Sequence, residues 1–74
     1  MAKYDVRKIK RALKEHGYPV ESVVNCTGSC YGNISIYMKH DHGRPLITTE
    51  ASIQAKMIAS EVGQISIDKI FCQY

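Results

Sequence analysis

The stretch Val20-Glu21-Ser22-Val23-Val24-Asn25-Cys26-Thr27-Gly28-Ser29-Cys30-Tyr31-Gly32-Asn33-Ile34-Ser35-Ile36-Tyr37-Met38-Lys39 decides the fold. In its second half Ile34, Ile36 and Met38 alternate with Ser35, Tyr37 and Lys39. Successive side chains of a strand point to opposite faces, so this period of two predicts a strand with one apolar and one polar-tipped face. Residues 27–33 contain Gly28 and Gly32, which can take positive φ, and read as the loop of a hairpin. Val20, Val24 and Cys26 then supply the buried side of the partner strand, and every other segment has to cover that apolar side.

Working towards the N-terminus, residues 5–16 read as a helix, with Val6, Ile9, Leu13 and His16 near one side and Gly17 and Pro19 ending it. At about 100° per residue Lys3, Arg7, Lys10, Arg11 and Lys14 share an arc of about 100° beside the apolar stripe. A face of one sign is either a solvated surface that keeps a small domain soluble or a contact for phosphates or an acidic protein surface.

Working towards the C-terminus, residues 40–45 form a polar turn containing Gly43 and Pro45, and Leu46-Ile47-Thr48 can make a short third strand. His40 and His42 flank Asp41, but zinc sites need four convergent ligands and no second pair stands at a recognised spacing, so neither metal nor cofactor is expected. Thr48 or Thr49 can cap a second helix, Glu50 suits its first turn, and Gly63 closes it. Ala51, Ala55, Ile58, Ala59 and Val62 share its inner face. Ile53 and Met57 project from the far side, either packed on the first helix or exposed as a contact for a partner or a second copy. Residues 65–72 read as a last strand through Ile65, Ile67 and Phe71, with a helix capped by Ser66 as the competing reading. The expected architecture is one α+β domain over residues 1–74, in the order α-β-β-(short β)-α-β. Its sheet is antiparallel with two helices on one face, and Val23, Tyr37 and Ile70 look out from the other.

A chain of 74 residues has room for one core and buries only about 60 to 65% of its unfolded surface. Ten Lys and Arg against seven Asp and Glu give a net charge of +3, too mild to imply nucleic acid by bulk charge. The distribution says more. Residues 1–16 hold six basic and two acidic residues, and residues 17–74 hold four and five. No apolar run approaches the roughly 18 to 20 residues that span a bilayer, and no apolar signal core follows the charged start, so a cytoplasmic protein is expected. Cys26, Cys30 and Cys72 are odd in number, which favours reduced thiols, with a bridge from Cys26 or Cys30 to Cys72 as the minor reading.

The order of a helix, three antiparallel strands and a helix resembles the double-stranded-RNA-binding domain and the HicA-type toxins of the same topology. Gly28-Ser29 resembles the glycine-serine before the catalytic histidine of those toxins, and Lys39-His40, Gly43 and Leu46-Ile47-Thr48 resemble their next turn and strand. Cys30 stands where that histidine would be, and a thiol is a poor general acid for RNA cleavage. Of the lysine cluster that opens the second helix of the RNA-binding domains, only Lys56 has a counterpart. In size, asymmetric charge and lack of a catalytic constellation the chain is also similar in style to small phage and mobile-element proteins, including anti-CRISPR inhibitors.

No nucleophile, base and orienter stand at a known spacing, so an enzyme is not expected. The leading expectation is a non-enzymatic binding or inhibitor protein that engages a host protein or nucleoprotein complex. Its contact residues are Lys3, Arg7, Lys10, Arg11 and Lys14, with Ser29 and Tyr31 of the hairpin loop and Tyr37 of the outer face as further candidates. The alternatives are a direct RNA or DNA binder and a homodimer-forming module that uses Ile53, Met57 and the open sheet face.

Overall fold

Asp5 starts the first helix: its carboxylate accepts from the Lys8 N–H at 3.1 Å and satisfies one of the amides that a helix leaves unpaired. In the computed structural model, which describes residues 4–74, helix α1 spans Val6–Glu15. Ile9 and Leu13 are fully buried on its inner side, and burial of two such side chains contributes about 3 to 6 kcal/mol. His16, expected on the apolar stripe, is instead the exposed C-cap. Gly17 follows at φ +89°, a conformation that costs glycine little, and turns the chain so that the Tyr18 N–H donates to Leu13 O at 3.1 Å.

Strands β1 (Val20–Asn25) and β2 (Ile34–Met38) pair antiparallel, as the alternation requires. Ile34, Ile36 and Met38 are buried and Tyr37 faces out. Val20 lies opposite Met38 but Ser22 lies opposite Tyr37, so Glu21 is an extra residue in β1. This bulge moves the rest of β1 by one residue. Val23 is therefore buried and Val24 exposed, the reverse of the sequence expectation.

Beyond β2 the chain makes a small separate hairpin, β3 (His40–Asp41) with β4 (Arg44–Pro45), turned by His42 at φ +52° and Gly43 at φ +78°. Leu46-Ile47-Thr48, expected as a third strand, takes no strand pairing. Only Ile47 of the three packs against the core.

Helix α2 (Thr49–Gly63) begins where expected: the Thr48 hydroxyl accepts from the Ala51 N–H at 3.1 Å. Ala55 and Ala59 are fully buried, Ile58 and Val62 pack partly against the core, and Ile53 and Met57 are exposed. Ser52 is buried too, and its hydroxyl donates to Thr49 O at 2.6 Å. The left-handed cap is Gln64 rather than Gly63.

The last segment departs furthest from its expectation. Ile65 is a buried connector, Ile67–Lys69 form a single 3-10 turn, and only Ile70–Gln73 form strand β5. Ile70 is consequently buried, with Ile67 and Phe71 exposed. β5 pairs with β2 in parallel, so the main sheet is mixed, in the order β1-β2-β5. Parallel neighbours need a crossover, and α2 supplies it. The α+β class with both helices on one face holds. The core lies between that face and the helices, joining Ile9 and Leu13 to Val20, Val23, Ile34, Ile36, Met38, Ala55, Ala59, Ile65 and Ile70.

Candidate functional site

The basic face is a property of α1 and of how α1 is held. Ile9 and Leu13 fix the rotation of the helix about its axis, and α1 packs on α2 and β1. A two-way amide bond fixes the entry: the Tyr4 N–H donates to Asn25 Oδ1 at 3.0 Å, and Asn25 Nδ2 donates to Tyr4 O at 3.2 Å. With the inner side occupied, Arg7, Arg11 and Lys14 are exposed and Lys10 is half-buried. Among the described residues, these four and Glu15 line a shallow open depression. The aliphatic stems of the long side chains form its walls while their charged heads stay in water. Lys3, the fifth expected contact, lies outside the described residues.

Arg7, Lys10, Arg11 and Lys14 make four like-charge pairs at spacings of three or four, each costing about 0.2 to 0.5 kcal/mol in an isolated helix. No carboxylate among the described residues forms an ion pair with any of them, the single ion pair found being Asp41 with His42 at 3.6 Å. The total repulsion, about 1 to 2 kcal/mol, is offset only in part by Glu15, one turn from Arg11, and is smaller than the stabilisation from burying Ile9 and Leu13, so the helix persists. An anionic surface would relieve the remaining repulsion.

The remaining candidates lie elsewhere. Ser29 and Tyr31 are exposed on the loop between β1 and β2, which is ordered by the Cys26 N–H donating to Asn33 O at 2.9 Å and the Tyr31 N–H to Gly28 O at 3.1 Å. Tyr37 is on the sheet face opposite the helices, so the structure does not bring it together with the basic arc. That outer face contains Val24 (41% exposed), Tyr37 (38%) and Phe71 (45%) around the buried Ser35, which is opposite Val24 on one side and Phe71 on the other. The sequence reading placed Val23 and Ile70 there; both are buried. Val24 and Phe71 were missed because a bulge and a 3-10 turn shift the alternation and leave no mark in residue type.

The sheet also separates the cysteines. Cys26 Sγ is hydrogen-bonded to Ser35 Oγ at 3.2 Å on the outer side, whereas Cys72 pairs with Ile36 and packs against the core on the helix side. Burial pushes the Cys72 thiol up from its ordinary pKa, and Lys56 opposes that in part. Among the described residues no group of three His, Cys, Asp or Glu side chains converges to hold a metal ion. No helix among them is long and apolar enough to cross a membrane. Comparison with family models, curated proteins and solved structures gave no significant match.

Proposed function

We propose that this chain is a non-enzymatic binding protein, an inhibitor of the phage or mobile-element type, which acts in the cytoplasm by laying α1 beside the nucleic-acid path of a host nucleic-acid-handling complex. The observation that carries this reading is the arc of Arg7, Lys10, Arg11 and Lys14 on a rigidly seated helix with no carboxylate counter-ion among the described residues. Cations that make no ion pair gain more from a polyanion than paired ones, because no existing pair has to break. A groove that holds DNA or RNA is itself lined with cations and repels this arc, so an inhibitor presenting it would address an acidic protein surface beside the groove. The second reading is direct binding of duplex RNA or DNA by the same arc.

The test is affinity capture with the wild-type chain and with the combined Lys10→Glu, Arg11→Glu, Lys14→Glu variant, each with and without nuclease, after circular dichroism shows that the variant is folded. The expected result is nuclease-resistant recovery of nucleic-acid-handling proteins by the wild type and its loss in the variant. Capture abolished by nuclease, together with binding of random duplex whose log K falls against log salt with a slope of about −3 to −4 for four phosphates, selects direct binding instead. Equal capture by both chains would show that α1 is plain solvated surface.

A further inference from the structure

We propose that Cys26 and Cys30 form a dithiol site that a low-molecular-weight disulfide, such as glutathione disulfide, converts reversibly to an intramolecular disulfide bridging the base of the β1–β2 loop. Three residues separate the two cysteines, and the 3-10 turn Gly28–Cys30 bends the chain between them. Each sulfur is positioned by its own partner: Cys26 Sγ by Ser35 Oγ at 3.2 Å, and Cys30 Sγ, which donates to Thr27 O at 3.1 Å. The neighbouring Cys26 side chain also raises the pKa of the Cys30 thiol. Backbone bonds from Cys26 N–H to Asn33 O and from Asn33 N–H to Cys30 O hold the segment in this shape before any reaction occurs. Both side chains are partly exposed, so a small disulfide can reach them from solvent. Cys72 cannot compete, because β2 and the sheet plane separate it from Cys26. All three cysteines are free, so the minor reading of a bridge to Cys72 does not hold in this structure.

The chemistry is a two-step exchange. One cysteine loses its proton to solvent, and its thiolate attacks a sulfur of glutathione disulfide, forming a mixed disulfide and expelling one glutathione thiolate. The second cysteine, deprotonated in turn, attacks the protein sulfur of the mixed disulfide and expels the second glutathione thiolate. The sum is two protein thiols and one glutathione disulfide giving one protein disulfide and two glutathione molecules, with two electrons passed to glutathione. Because both thiols lie in one short loop closed through Asn33, the closing step is intramolecular and outpaces a second encounter with glutathione. The bridge would pin the loop that displays Ser29 and Tyr31, whether or not α1 has the partner proposed above.

The experiment is equilibration of the folded protein in buffers of graded reduced to oxidised glutathione, acid quench, and intact-mass and peptide-map analysis of wild type, Cys72→Ala, Cys26→Ser and Cys30→Ser. Wild type and Cys72→Ala are expected to lose two hydrogen atoms in one transition, with the peptide map joining Cys26 to Cys30. Cys26→Ser and Cys30→Ser should instead accumulate a persistent glutathione adduct on the remaining loop cysteine. The proposal is overturned if wild type keeps stable mixed disulfides without closing, stays fully reduced in oxidised glutathione alone, or gives a map that joins either loop cysteine to Cys72. The wild-type map decides these outcomes even if a variant does not fold.

Discussion

Gly63 shows how a single position can hold two helices in place. It ends α2 with a helical backbone, and a Cβ built there would lie 2.7 Å from Ile9 Cδ1 and 3.3 Å from Ile9 Cγ1. Helix propensity alone would favour alanine by about 0.8 to 1 kcal/mol. Ile9 is fully buried, however, and forcing a methyl into a filled core costs about 1 to 3 kcal/mol. Gly63→Ala should therefore destabilise by about 1 kcal/mol in a urea titration, and Ile9→Val, which removes Cδ1, should suppress that cost in a double-mutant cycle. A stabilised Gly63→Ala would mean that the helices have room to spare. At the other end of the connection, the Ser66 hydroxyl donates to Asp68 Oδ1 and, with the Asp68 backbone N–H and Lys69, lowers the pKa of that carboxyl. A depressed folded-state pKa gives stability that is present above the unfolded value, about 3.9, and is lost as pH falls through the folded one. Ser66→Ala should move the Asp68 titration, followed by NMR, upward towards the ordinary range; an unmoved midpoint would assign the shift to the backbone and Lys69 alone.

Among the elements, β1 and β2 make opposite kinds of prediction. In β2 the alternation reads correctly, so Ile36→Asp should abolish folding while Tyr37→Asp leaves a folded domain. In β1 the Glu21 bulge reverses the phase, so Val23→Asp should be the disruptive change and Val24→Asp the tolerated one. Burying an unpaired carboxylate costs several kcal/mol, comparable with the whole stability of a domain this small, about 5 kcal/mol. Matching urea midpoints for Val23→Asp and Val24→Asp would show that the bulge is not fixed in solution. On α1 the outward arc should behave in the opposite way. Arg11→Glu and Lys14→Glu should each change stability by no more than about 0.5 kcal/mol, because both heads are exposed and the lost repulsion among the cations roughly offsets any lost attraction to Glu15.

At the scale of the molecule, the sheet depends on its last four-residue strand. β5 covers one edge of β2, buries Ile70, and brings Tyr74 to where its hydroxyl donates to Thr49 Oγ1 at 3.0 Å at the start of α2. Without it, β2 would present open N–H and C=O groups beside a gap in the core, and a two-stranded hairpin is marginal by itself. Removal of residues 70–74 should therefore replace the cooperative urea transition with a broad one and expose apolar surface to a hydrophobic dye. A truncated chain with the wild-type midpoint would show that the hairpin and two helices suffice.

The sequence by itself determined the elements whose signals are local. The period of Ile34 to Lys39, the stop at Gly17, a cap at Thr48 or Thr49, and the positive-φ positions at Gly28 and Gly32 each act within a few residues and read correctly. So did the part of the basic arc formed by Arg7, Lys10, Arg11 and Lys14, because helical spacing fixes which side chains share a face once Ile9 and Leu13 are turned inward. Tertiary structure decided the rest: the bulge at Glu21, the parallel docking of β5, the loss of a strand at Leu46-Ile47-Thr48, and the backbone bonding of Cys26 and Cys30 to Asn33. For the bulge, β5 and the lost strand several conformations differ little in local propensity, and the choice falls to whichever closes the core around Ile36 and Ile70 with its backbone groups paired.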